Sequence, residues 1–293
     1  QEAFSLANRC YLMREGRIIK HLYPEQMTDH IIEQYTNDFS DFVDLGDRRD
    51  YYDRQVESLK PLVSVKELNY KAMRSLTFHV KEHETVVLLD SDNLVIDDLF
   101  EMFSNTAGAL SGEILVAGEP SSAARRDIAL VPPKPDVSLI FDQLSVLDNI
   151  LFTSDHRIEA LWLSESRRKA LGRDLMADFG DRISMTTPRL CSQHERIMMV
   201  YQRIMLQKPK FLCVVQPFAS IDMYQRISLI EIFDRLKRRG CSILILSVSL
   251  SDSLQIADRL IILNGGTVER EVLRSEFSQF RDIASSIPSQ SKE

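Results

Sequence analysis

Four carboxylates crowd one short stretch of this chain. Residues 84–89 read as a buried strand, and behind them come Asp90-Ser91-Asp92-Asn93-Leu94-Val95-Ile96-Asp97, with Asp98 directly after. Carboxylates so close together could ligate a metal ion or repel an anion. Asp90, Asp92, Asp98 and Glu101 fall at positions 1, 3, 9 and 12 of a calcium loop. Leu94 stands at position 5, however, and Val95 replaces the glycine required at position 6. The simpler expectation is a solvated turn at 90–92, with Asp97 and Asp98 favouring a helix N-terminus through its dipole. A second apolar run, 211–214, ends on Val215-Gln216. Valine has no ligand atom. A glutamine amide can hydrogen-bond a water but cannot act as a general base. The six histidines form no HxH or HExxH pattern, so no metal site is expected.

The chain has 293 residues, 44% of them hydrophobic, and a net charge of -7. That length suffices for one large domain, or for one domain and a substantial piece of another. The hydrophobic share can build a real core. The acidic balance speaks against a nucleic-acid partner, which needs a basic stripe. Arg167-Arg168-Lys169 and Lys237-Arg238-Arg239 sit beside acids on helical stretches and read as solvated faces. Cys10, Cys191, Cys213 and Cys241 form no CxxC pair, and Cys213 reads as a small buried hydrophobe, which fits a reducing compartment. No apolar run approaches the ~18 residues that span a bilayer, so direct membrane insertion is not expected. No signal peptide is visible. The chain begins at Gln1, and a fragment or processed form is expected.

Strands and helices must hold the acidic turn and the Val215-Gln216 end. Residues 63–68 and 76–80 are short β-type runs ahead of the strand 84–89. Residues 97–103 begin a helix with Leu99, Phe100 and Phe103 on one face. Ser111-Gly112-Glu113 opens another strand pair, and the strand 128–131 breaks at Pro132-Pro133. Residues 157–179 and 195–206 read as helices, 211–215 and 242–246 as buried strands. Residues 222–239 read as an amphipathic helix ended by Gly240. Apolar strands alternating with helices imply an α/β domain with a largely parallel sheet. The stretch 134–206 has few strand signals and should be a mainly helical subdomain.

An internal echo bears on organisation. Residues 6–16, LANRCYLMREG, return as residues 256–266, IADRLIILNGG. Arg9 matches Arg259 and Gly16 matches Gly266 at one constant separation, the length of a whole domain. Each copy reads as a helix end, a strand, then a tight glycine turn into a second strand. The chain is therefore expected to open inside the tail of a first copy and to contain a complete second one. Residues 1–61 would be that tail plus a linker, with 38–54 acidic and aromatic and Lys60-Pro61 as the boundary. Residues 62–293 would be the second copy.

Residues 62–275 resemble the nucleotide-binding domain of ATP-binding cassette (ABC) transporters. Cys191-Ser192-Gln193-His194-Glu195-Arg196, then Arg203 and Pro209-Lys210, is similar to the family signature LSGGER…R…P(K). Pro217, Ile221-Asp222, Ser247 and Ala257-Asp258-Arg259 also fit the family pattern. The subtype it most resembles is the second cassette of the tandem ATPase subunits of monosaccharide importers. The short spacing across 64–84 and Leu144-Ser145-Val146-Leu147-Asp148-Asn149-Ile150, similar to "mSVkeNi", carry that. The resemblance implies a P-loop NTPase-like core with a helical subdomain and an antiparallel β portion.

The same resemblance implies that the chemical positions are altered. In a phosphate loop, glycine-rich backbone N–H groups face the phosphates, a lysine reaches them and a hydroxyl holds Mg²⁺. Here Asp90, Asn93 and Val95 stand at the loop's marked positions, Ile96 at the lysine and Asp97 at the hydroxyl. Val215 takes the place of the Mg²⁺ aspartate and Gln216 that of the water-activating glutamate. Pro133 takes that of the residue linking nucleotide to permease, and Val248 that of a histidine at the γ-phosphate. The signature keeps Ser192 but replaces its glycines with Gln193 and His194, ahead of Glu195. Asp222 matches the loop at the cassette dimer interface, and equally suits a helix N-cap. The family binds ATP and Mg²⁺; no cofactor is expected for this chain.

The leading functional expectation is a catalytically inactive cassette with a structural or regulatory role in a bacterial importer of the monosaccharide type. Its partners would be another cassette and a membrane permease, at the cytoplasmic face of the cell membrane. Two alternatives stay open: a repurposed interaction module without a transporter, and a companion of a first cassette that still hydrolyses ATP.

Overall fold

The computed structural model describes residues 8–14, 17–23, 59–105, 107–152, 187–219, 221, 223–249 and 253–277. The chain separates into two units, 1–55 and 56–293. In the first unit, strands β1 (Cys10–Arg14) and β2 (Arg17–Leu22) pair as an antiparallel hairpin. The Lys60 carbonyl already accepts from the Glu82 N–H at 3.0 Å, so the run into Pro61 is fastened to the second unit.

The second unit opens with β3 (Pro61–Tyr70) and β4 (Met73–Lys81), followed by β5 (Thr85–Leu89) and helix α1 (Ile96–Phe103). Then come β6 (Ser111–Val116), β7 (Glu119–Pro120), β8 (Ile128–Val131) and two short helices, α2 (Pro135–Ser138) and α3 (Val146–Leu151). Helix α4 (Gln193–Gln207), β9 (Phe211–Val215), helix α5 (Met223–Arg238) and β10 (Ser242–Ser247) follow. The hairpin β11 (Arg259–Asn264) and β12 (Thr267–Leu273) closes the unit. Between 134 and 206 the described residues form helical turns and no strand. The expected helix at 157–179 lies outside the described residues.

Six strands form the main sheet in the order β12-β11-β5-β10-β9-β8. All neighbours run parallel except β12, which returns antiparallel on β11. Every residue of β5, β9 and β10 is buried, as continuous apolar runs require when both sheet faces are covered. Alternate side chains feed two cores. Val87, Leu212, Val214, Ile243 and Ile245 meet the helix residues Met199, Tyr201, Ile232 and Phe233 on one face. Val86, Leu88, Cys213, Val215, Leu244 and Leu246 meet Leu99 and Phe103 of α1 and the apolar side of the antiparallel sheet β4-β3-β6-β7 on the other.

Charged clamps at the far end of β5 fix the sheet. The two carboxylate oxygens of Glu84 accept from Nε and Nη2 of Arg259 at 2.8 and 3.0 Å, the forked geometry suited to guanidinium. Arg259 also donates to Glu271 and to the His79 carbonyl, each at 2.6 Å. Beside it, Asp258 accepts from the Thr85 N–H at 2.7 Å and from Lys237 at 2.6 Å. Helix α5 ends as expected at Gly240, whose φ of +95° only glycine adopts freely.

Candidate functional site

Parallel strands share a direction, so β5, β10, β9 and β8 all point their C-terminal ends at one edge of the sheet. Asp90, Val248, Gln216 and the Pro132-Pro133 break are gathered there. Ligands of open α/β sheets bind outside such strand ends. Backbone bonds stitch the edge together: Asp90 N–H donates to the Ser247 carbonyl at 2.9 Å and Gln216 N–H to the Leu246 carbonyl at 2.8 Å.

The turn after β5 departs from the solvated loop expected at 90–92. Ser91, Asp92, Asn93 and Leu94 are exposed, but Asp90 is only 2% exposed. Its Oδ2 accepts the Val95 N–H at 2.7 Å, and its carbonyl accepts the Asn93 N–H at 3.0 Å. A buried carboxylate is tolerable when backbone donors meet it. Asn93 adopts a left-handed φ of 53°, which asparagine tolerates. Val95 and Ile96 turn into the core beside α1 and are wholly buried. Asp97 is exposed, and Asp98 sits with it in the first turn of α1, where acids suit the helix dipole. Lys71 reaches in from the β3–β4 turn and donates to Asp98 at 2.5 Å; that hydrogen bond raises the amine's pKa.

At the end of β9, Val215 is buried in the core. Gln216 takes a left-handed φ of 44°, a backbone strained for a side chain with a Cβ. It lies at the meeting of two cavities of about 180 Å³ each. One is walled by Pro133, Gln193, Tyr201, Pro217 and Ile221 as well as Gln216. The structure thus brings Pro133, Gln193 and Gln216 to one place. The other joins Gln216 to Arg226, Ser247, Ser249 and Ser253. Val248 packs half-buried against the core between Ser247 and Ser249. Ser247 Oγ donates to the Ser249 carbonyl at 2.6 Å, which folds the strand end back. Asp222 lies outside the described residues. Among the described residues, no group of three or more histidine, cysteine or acidic side chains is set to hold a metal ion.

The segment before α4 does local work. Ser192 Oγ accepts the Glu195 N–H at 3.2 Å, and Glu195 Oε2 accepts the Ser192 N–H at 2.7 Å, a complete capping box. The Ser-x-x-Glu spacing announces this box in the sequence, though likeness to the family signature draws the eye to the segment first. Gln193 is exposed and His194 half-buried at this helix start. Replacing Ser192 with alanine should lower stability by about 1 kcal/mol, read as a shift of the urea midpoint at unchanged slope. A change of nearly zero would mean that the box is not formed in solution.

Farther along α4, Arg203 donates to the carbonyls of Asn149 at 2.7 Å and Leu139 at 2.9 Å, and it stacks over Phe141 and Phe152. Burial pulls its pKa down to about 10. The Asn149 amide, fully buried, bonds the backbone of Phe141 in both directions. Helix α3 and the 139–141 loop are pinned to α4 through this pair. Cys213 and Cys241 are buried and their thiols are pushed up in pKa, Cys241 to about 12, so both stay protonated.

The parallel sheet, its antiparallel companion sheet and the strand-end site define the ABC ATPase fold. The protein cbiO1 from Clostridium perfringens, part of the ABC transporter complex cbiONQ, superposes with a TM-score of 0.65 at 18% identity over 77% of this chain and 93% of that one. The ATP-binding cassette MJ0796, in its post-hydrolysis dimer with ADP and Pi, matches with a TM-score of 0.60 at 18% identity over 72% of this chain and 98% of that one. No protein-family model matches the chain. Its sequence relatives are ABC ATP-binding subunits. A ribose import ATP-binding protein of Rubrobacter xylanophilus is 22% identical over 294 residues, 96% of this chain and 57% of the relative. One from Rhizobium meliloti is 23% identical over 295 residues, 95% of this chain and 56% of the relative. The molybdate/tungstate import ATP-binding protein of Pyrococcus horikoshii is 26% identical over 217 residues, 71% of this chain and 60% of the relative. The chain spans about half the length of the ribose-import relatives it matches.

Proposed function

We propose that residues 62–293 are a cassette that keeps the ABC fold and has given up nucleotide chemistry, acting as a structural or regulatory subunit of an importer of the monosaccharide type. The observation that carries this is the Asp90 carboxylate on the Val95 N–H at 2.7 Å. That amide belongs to the loop segment that faces phosphate in working cassettes, and here an internal anion holds it. Ile96 in the core offers no cation, Val215 no metal ligand and Gln216 no base. These side chains do not suit MgATP, and no hydrolytic step is assigned to them. Ser192, Gln193 and the loop carrying Asp222 would then serve as a contact face towards another cassette. The stretch 134–206 would dock a permease, and the protein would then work at the cytoplasmic face of a membrane. Among the described residues, no helix is long and apolar enough to cross one. The ribose-import relatives, matched along almost the whole chain, support the importer type and the reading of residues 1–61 as the tail of a first cassette.

Phosphate release by the chain with millimolar MgATP tests the reading. None above the buffer blank is expected, and Gln216→Glu should leave that unchanged, because binding fails before chemistry. Turnover in the Gln216→Glu variant would show that the loop at 90–97 accepts nucleotide after all, and the proposal would fall.

A further inference from the structure

The more polar of the two cavities beside Gln216 has the make-up of a binding site. Its volume is about 180 Å³. Its polar wall is Gln216, Arg226, Ser247, Ser249 and Ser253, and Pro217 and Phe218 supply an apolar side. Arg226, near the start of α5, is the charged member of this wall, and its Nε donates to the Ile221 carbonyl at 3.3 Å. Ser247 Oγ donates to the Ser249 carbonyl and accepts the Ser249 N–H at 3.3 Å, which fixes the turn that carries Ser249. Ser253 is 4% exposed, yet among the described residues its hydroxyl has no hydrogen-bond partner. The same holds for the side chains of Gln216 and Ser249. Buried polar groups are nearly always hydrogen-bonded, so a buried hydroxyl that the protein leaves over on a cavity wall calls for an occupant.

The cavity lies on the α5 side of the main sheet. Ile243 and Ile245 feed the core shared with α4 and α5, and Ser247 continues their face by the two-residue period of a strand. Val248 packs against the opposite core, where Val95 and Ile96 of the turn after β5 also lie. Among the described residues, none of that turn walls the cavity. What binds here is therefore independent of whether the turn accepts a nucleotide.

The geometry points to this cavity as a site for a small, singly charged carboxylate. A guanidinium matches a carboxylate in charge and in its planar, forked shape. The hydroxyls of Ser249 and Ser253 and the Gln216 amide supply further donors. One cation balances one negative charge, whereas a divalent anion brings a charge that this wall does not offset. Pro217 and Phe218 give a short hydrocarbon body a surface to pack on, which sulfate cannot use. A cavity of this size takes molecules as large as benzene, so a body of about four carbons fits. In sequence, 216–219 and Arg226 bracket the loop through Asp222, so an occupant ties the two ends of that loop. The proposed function sets this loop against another cassette; carboxylate binding itself does not rest on that reading.

Titration of butyrate into the isotope-labelled chain at matched ionic strength, followed by amide NMR, tests this. The amides of Gln216, Ser247, Ser249 and Ser253 should shift together, with a dissociation constant of about 1 mM or tighter. The amides of residues 91–98 should stay in place. Butyramide, which keeps the shape and lacks the charge, should bind about tenfold more weakly. Arg226→Gln should weaken butyrate about tenfold and Ser253→Ala about fivefold. The urea midpoint of Ser253→Ala should match that of the parent, so that its lost affinity is read on a folded protein. Shifts confined to residues 91–98, butyramide bound as well as butyrate, or sulfate bound as tightly at the same residues would each overturn the assignment. Unchanged affinity in both variants would overturn it too, as would four amides unmoved at about 50 mM butyrate.

Discussion

Titration of MgATP into this protein at moderate salt should give a dissociation constant no tighter than millimolar. Each feature of the turn after β5 acts in that direction. A phosphate would have to displace the buried Asp90 carboxylate from the Val95 N–H and leave it without its donor. A carboxylate about 6 Å from one phosphate charge opposes binding by roughly 3 kcal/mol at an effective dielectric of 20. Asp97 adds a second such opponent at the start of α1. Together they offset most of the ~8 kcal/mol that a micromolar ligand needs. The charge that Lys71 brings to the loop is directed at Asp98. Calorimetry decides the matter: a micromolar constant would sink the proposed loss of nucleotide chemistry. Removing repulsion alone, with Asp90→Asn, should leave binding weak, because the loop still lacks a cation.

The largest effect on stability is expected at the other end of β5. Arg259→Met should destabilise the fold by about 3–5 kcal/mol, the range for breaking one side of a buried ion pair. Glu84 is almost fully buried and, among the described residues, would keep only the Lys81 N–H as a donor once the guanidinium is gone. Burial on its own would lower the pKa of Arg259, but the hydrogen bonds and charges of Glu84 and Glu271 outweigh it and hold the pKa raised. The substitution also frees the His79 carbonyl and loosens β11 against β4. Urea unfolding reads the loss, and the double variant Arg259→Met with Glu84→Gln should recover part of it. A single-variant loss below about 1 kcal/mol would mean that water reaches Glu84 in solution.

The strands were legible because β5, β9 and β10 are unbroken apolar runs between charged or glycine-bearing segments. The helix stop at Gly240 and the strand break at Pro132-Pro133 were legible for the same local reasons. The two hairpins could be read as a pair because turn glycine and strand pattern recur together. What stayed hidden depends on distance or on conformation. Glu84 and Arg259 are 175 positions apart, and no periodicity joins them. Asp90 reads as a solvent-facing acid until the turn folds its carboxylate onto an amide five residues on. The left-handed backbone of Gln216 is set by the bonds around it and has no signature in residue type.

If the cassette has given up nucleotide chemistry as proposed, the burial of Ile96 carries a historical meaning. Together with Val95 it fills the space under α1, beside Leu99 and Phe103, so on the proposed reading the position of the family's lysine belongs to the hydrophobic interior. A lysine returned there must lift its ammonium out of the core or lie in it without a counterion, and either weakens the fold. Each step back towards catalysis would meet a less stable protein before any activity appeared to reward it. Under the proposed loss of nucleotide chemistry, packing would act as a ratchet: a lineage that passed this point would be held to its new role by its own core.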